Sequence, residues 1–179
     1  MAYVDPGTFA SSGVLTAAEM NVVGDDLRYL KAMSDGTLFA GVSLLRTTTQ
    51  SIPDSTYTDV SWSSSPIDVA GWWTSGATVT VPSAVIPPGY TTAYLEVNAT
   101  ARFNANGTGS RGIVVLQNGG TVEAASFTSG LPSDTTPVAI TVWIAAAAAD
   151  AIRVQVYQSS GAALLVNQCS LHLKRIGFA

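Results

Sequence analysis

From Thr92 to Asn104, apolar and polar residues exchange at every step: Leu95, Val97, Ala99, Ala101 and Phe103 alternate with Glu96, Asn98, Thr100 and Arg102. In an extended chain successive side chains point to opposite faces, so this segment reads as a half-buried strand. Shorter strand-like runs surround it at residues 38–50, 57–62, 77–81, 111–117, 121–127, 138–144, 152–157 and 169–176. They are separated by Pro53-Asp54, by Pro82, by Asn106-Gly107-Thr108-Gly109 and by Asn118-Gly119, the last a strong hairpin signal. Ala145 to Ala149 favours helix by residue type. Its shortness, its end at Asp150 and its two β-branched flanks make it a turn instead. Nine predicted strands, with helical periodicity confined to the N-terminus, give a mainly β, antiparallel sandwich.

The N-terminal segment, residues 1–36, is set apart from residues 37–179 by its helical signals. Thr16 is placed to cap a helix, Glu19 to bond back to it, and Leu15 and Met20 to form a hydrophobic staple. The helix is predicted over residues 17–33, ending near Asp35-Gly36. Met20, Val23, Leu27 and Leu30 follow a 3-4-3 spacing, the seam of a coiled coil or docked helix. Burying four such side chains gives at most ~6–12 kcal/mol, while ordering some seventeen residues costs roughly 17–34 kcal/mol. The segment therefore needs a partner surface, and it reads as an anchor.

Charge narrows the function. Only 11% of residues are charged and the net charge is −4. Of the eight basic residues only Lys174 and Arg175 adjoin, so the clustered cations that nucleic-acid binding needs are missing. The first residues lack the basic start and apolar core of a signal peptide. The longest apolar run, residues 138–149, is too short for a membrane span of ~18 residues. Neither nucleic acid nor membrane insertion is expected, and synthesis is expected in a cytoplasm.

Catalytic and metal chemistry find little to work with. His172 is the only histidine and Cys169 the only cysteine. Two such residues cannot complete a tetrahedral zinc site, and no calcium loop is present. Cys169 reads as a buried inert thiol and His172 as a surface or interface residue. No nucleophile–base set and no acid pair for glycan cleavage stands out. The chain is expected to be non-enzymatic, with no cofactor and no metal. Trp72 and Trp73, between Gly71 and Gly76, are the most suggestive residues. Exposed indoles can stack on sugars, whereas Trp is on average highly buried. One buried ring and one available for receptor contact is the expectation.

Several local sequences carry a resemblance. Thr80-Val81-Pro82 with Gly89-Tyr90, the Asn118-Gly119 hairpin, Asp150-Ala-Ile-Arg-Val-Gln-Val and Ser170-Leu171-His172-Leu173 occur in an order that resembles the jelly roll of tumour-necrosis-factor ligands and complement globular heads, from about Phe39 to Gly177. An alanine stands before Asp150 where that family has glycine, and Ala84-Val85-Ile86-Pro87 stretches the entry to Tyr90. The segment from Gly13 to Asn21, with Asp25-Asp26-Leu27 after it, looks like the Leu-Thr-Ala-Ala-x-x-Asn openings of phage tail and head-fibre proteins. The resemblance implies a jelly-roll sandwich behind a short helical anchor, assembled as a homotrimer. It also implies a virion location, with attachment to other virion proteins through the N-terminal segment. The jelly roll would project toward a host receptor such as a surface glycan. A head fibre or capsid decoration protein is the neighbouring alternative. A soluble trimeric signalling ligand of the same fold is an alternative of another class.

Overall fold

The structure, a computed structural model, describes residues 40–179 together with Met20, Asn21, Gly24 and Leu27. The chain divides into two compact units, Met1–Phe39 and Ala40–Ala179. The four described residues of the first unit are helical, and the Met20 and Leu27 side chains are exposed. The rest of the predicted helix, including its cap, Val23 and Leu30, lies outside the described residues.

The second unit is built on two antiparallel sheets. The first has the order β4 (Ser64–Val69), β1 (Gly41–Arg46), β11 (Leu164–Phe178), β6 (Thr92–Phe103), β9 (Thr136–Ala147), with β2 (Gln50–Ile52) pairing the start of β11. The second has the order β3 (Thr58–Asp59), β10 (Ala151–Gln158), β7 (Ser110–Gln117), β8 (Thr121–Ser129), with β5 (Thr78–Thr80) beside β3 along β10. From β6 onward, β7 and β8 are the only successive strands that pair with each other. The remaining connections cross between sheets, which is the winding of a jelly roll. The core lies between the layers. Leu95, Val97, Ala99 and Phe103 of β6, with Leu171 and Leu173 of β11, meet Ile113 and Val115 of β7 and Ile152, Val154 and Val156 of β10.

Among the described residues eleven strands stand where nine were predicted, and each difference has a local cause. The predicted strand over residues 38–50 is two, broken at Thr47 to Thr49, and the two lie end to end along β11. Of residues 57–62 only Thr58 and Asp59 pair as β3. β4 was not predicted, because Pro66 within Ser-Ser-Pro-Ile-Asp-Val reads as loop. It is an edge strand, where a missing N–H is tolerated, and Pro137 sits likewise on edge strand β9. The last strand begins at Leu164 rather than Cys169. A register shift between Val166 and Gln168 turns the inward residues from even to odd numbers, which hid the first half from a period-two reading. Residues 145–147, expected in a turn, continue β9 opposite Tyr94, Ala93 and Thr92. The turn itself is confined to the following residues.

That turn is held by Asp150. Its carboxylate accepts from the Gln117 and Asn118 side-chain amides at 2.7 and 2.8 Å and from the Ala147 N–H at 2.8 Å. Burial alone would raise its pKa, but these three bonds together bring it below the usual carboxylate value. The β9–β10 turn is thereby tied to the β7–β8 hairpin, whose Asn118 and Gly119 have φ of 50° and 82°. Ala149, where the resembled family has glycine, has φ 69°. The left-handed backbone is kept without the residue that adopts it freely. Ala149→Gly is therefore expected to stabilise the domain by up to about 1 kcal/mol, seen as a melting temperature raised by about 2–4 °C. A fall in melting temperature would refute the strain argument.

Candidate functional site

Around the first sheet, two places among the described residues hold side chains that a binding function would use. The first is the loop after β4. The Asp68 carboxylate accepts from the backbone N–H groups of Trp72 and Trp73 at 2.7 and 3.1 Å, and left-handed Ala70 and Gly71 make the bend between them. The Trp72 ring enters the core, 1% exposed, and its Nε1–H donates to the Val69 carbonyl at 2.9 Å. Trp72 thus offers no face to a receptor. Trp73 is half-buried against the core, with its Nε1–H on the Gly76 carbonyl at 3.2 Å. The pair splits into one core ring and one partly accessible ring, and receptor contact can rest on Trp73 alone.

The second place is the outer face of the first sheet, whose cross-strand rows follow from the register. One row runs Val69, Gly41, Lys174, Glu96, Trp143 and the next Ile67, Ser43, His172, Asn98, Thr141. Trp143 is 71% exposed, and Ile67, Tyr94 and Ile176 also stand in the open. Between them lies a polar ladder. The Thr141 hydroxyl donates to Asn98 Oδ1 at 2.5 Å, and Asn98 Nδ2 donates to Glu96 Oε1 at 2.8 Å. Thr100 and Ser170 share a bond of 2.7 Å. Gly41 is required here, since a Cβ would strike the Leu173 carbonyl oxygen as β1 passes β11. Exposed apolar side chains arranged around a centre of hydrogen-bonded polar groups give this face the makeup of a surface that a partner can cover.

Among the described residues, acid–base or metal chemistry has no assembled site. Cys169 faces the core and His172, three residues on, faces out, so the two do not meet. Burial pushes the Cys169 thiol up to about 12, which leaves it protonated near neutral pH. Among the described residues no three His, Cys, Asp or Glu side chains gather as a possible metal site. No described helix is long and apolar enough to cross a membrane.

Comparison with known proteins gives the fold and little else. No protein-family profile matches the sequence, and no curated protein does. Solved structures do match. Murine APRIL at pH 5.0 aligns with TM-score 0.56 and 14% identity over 77% of this chain and 99% of that one. The Eiger TNF of S. frugiperda aligns with TM-score 0.57 and 14% identity over 79% and 94%. The globular domain of zebrafish complement 1qA protein aligns with TM-score 0.53 and 11% identity over 79% and 99%. The second unit is thus a jelly-roll sandwich of the kind found in tumour-necrosis-factor and complement globular domains.

Proposed function

We propose that this chain is a non-enzymatic structural protein of a bacteriophage particle, a homotrimeric fibre or adhesin. Its N-terminal segment attaches to other virion proteins and its jelly roll projects toward a host receptor, which includes surface glycans. The assembly rests on one observation: the outer face of the first sheet exposes Trp143, Tyr94, Ile67 and Ile176 around a hydrogen-bonded polar centre. A second copy related by rotation covers such a face, and closed rotational symmetry lets every copy do so. The virion location rests on the resemblance of Gly13 to Asn21 to fibre-protein openings. The same features fit a head fibre or capsid decoration protein. A soluble trimeric ligand, the second reading, is compatible with the same fold, which APRIL and Eiger share.

Deleting residues 1–35 tests the anchor. The strands of the second unit are self-contained, so the shortened protein is expected to remain soluble and β-rich by circular dichroism. Supplied to particles that lack the gene, it is expected not to be incorporated, whereas the full chain is. Leu27→Asp acts the same way, since a charge pressed into an apolar seam without a partner is costly. Normal incorporation of the deletion variant would place attachment in the sandwich and sink the anchor.

A further inference from the structure

We propose that the outer face of the second sheet is a saccharide-binding site, with Tyr57, Tyr157 and Phe127 as its stacking platform and Asp59, Gln155 and Arg153 as its hydroxyl-binding row. The adhesin reading above supplies the role of such a site, while its existence is argued from this sheet alone.

The register assembles the platform from distant parts of the sequence. Gly112 of β7 stands between Tyr157 of β10 and Phe127 of β8. Tyr57, just before β3, brings its ring within 4.9 Å of the Tyr157 centroid, and Phe127 comes within 6.0 Å on the other side, nearly perpendicular. Gly112 makes this possible, because a Cβ there would collide with the Phe127 ring. Tyr57 and Phe127 remain 50% exposed. Beside the rings, Val114 and Leu116 are buried yet stand apart from the core between the sheets. They point outward and floor a depression of about 220 Å³, walled by Tyr57, Val122, Ala125 and Gln155.

The next positions along the same strands are polar. Asp59 accepts from Arg153 Nη1 at 2.9 Å and from Gln155 Nε2 at 2.8 Å. Arg153 Nη2 also donates to the Gly119 carbonyl at 3.1 Å. The row is rigid and only partly buried, and it keeps unused capacity: a carboxylate has about four lone-pair sites, and a guanidinium five N–H donors. A pyranose has one face of C–H groups and a rim of hydroxyls. Aromatic faces meet the former, and planar carboxylate, amide and guanidinium groups meet the latter. A mostly apolar hollow with a few placed polar groups has the composition of a small-molecule site, and at about 220 Å³ it lies below the usual range of roughly 300–1,000 Å³.

Saturation-transfer NMR on the full chain tests this, with glucose, galactose, mannose, N-acetylglucosamine and rhamnose added singly at millimolar concentration. Transfer to at least one sugar is expected, strongest to the protons of one ring face. Tyr57→Ala is expected to weaken binding about tenfold or more. Gln155→Leu, which keeps the sheet covered, is expected to weaken it as well and serves if Tyr57→Ala does not fold. Transfer to none of the five, or transfer unaffected by folded Tyr57→Ala or Gln155→Leu, overturns the proposal. The measurement needs no particle, so a failed incorporation result leaves the site standing. Equally, absent transfer leaves the virion reading standing.

Discussion

Trp72→Ala is expected to destabilise the jelly roll by about 3–5 kcal/mol, a large share of what an ordinary domain has in total. The indole is 1% exposed and sits in the main core, so its removal leaves a cavity as well as losing transfer energy. Its N–H bond to the Val69 carbonyl is lost too, and that carbonyl is left short of a partner. Trp73→Ala, by contrast, gives up a half-buried ring bonded to a loop carbonyl and is expected to cost about 1–2 kcal/mol. Urea unfolding followed by circular dichroism measures both. The midpoint should fall much further for Trp72→Ala, with the slope unchanged, as for a pure loss of stability. Equal shifts would mean that the two rings share one environment in solution and that the Asp68 clamp does not sort them.

Part of this architecture was legible because the sequence has one clear period. The β6 alternation from Leu95 to Phe103 reappears residue for residue as its buried face, and Asn118-Gly119 is a left-handed hairpin turn. What could not be read came from departures from local rules that tertiary structure repairs. Pro66 sits in a strand because that strand is an edge. The bulge near Asn167 reverses the parity of β11. Arg111, the second residue of β7, is fully buried, and its Nη1 and Nη2 groups donate to the carbonyls of Asn106, Thr108 and Ser110. Binding residues were harder still. The adjacent tryptophans drew attention because adjacency is visible in sequence, yet one of them is core. Tyr57, Phe127 and Tyr157 lie 70 and 30 residues apart in turn, and only the pairing of β3, β10, β7 and β8 brings them together. The single advance sign was Gly112, a glycine inside a strand, which marks the close approach of another group.

Trp143→Asp is expected to convert the proposed trimer to monomers while leaving each jelly roll folded. Trp143 is 71% exposed in the single chain and lies on β9 opposite Glu96, so little of its ring contributes to the core. The substitution therefore costs the isolated domain little, since exposed surface changes are usually within about 0.5 kcal/mol. In a trimer closed over this face the same residue is covered in every copy. A tryptophan at the centre of an interface commonly contributes 2 kcal/mol or more. An aspartate there adds an unpaired buried charge, beside Glu96 of its own chain, and rotational symmetry repeats the cost in all three subunits. Light scattering after gel filtration should give three times 18.5 kDa for the parent chain and 18.5 kDa for the variant. Thr141→Ser, which keeps the hydroxyl on Asn98, should remain trimeric. A parent chain that runs as a monomer at micromolar concentration would remove the trimer. A variant that stays trimeric would show that the copies meet through another face.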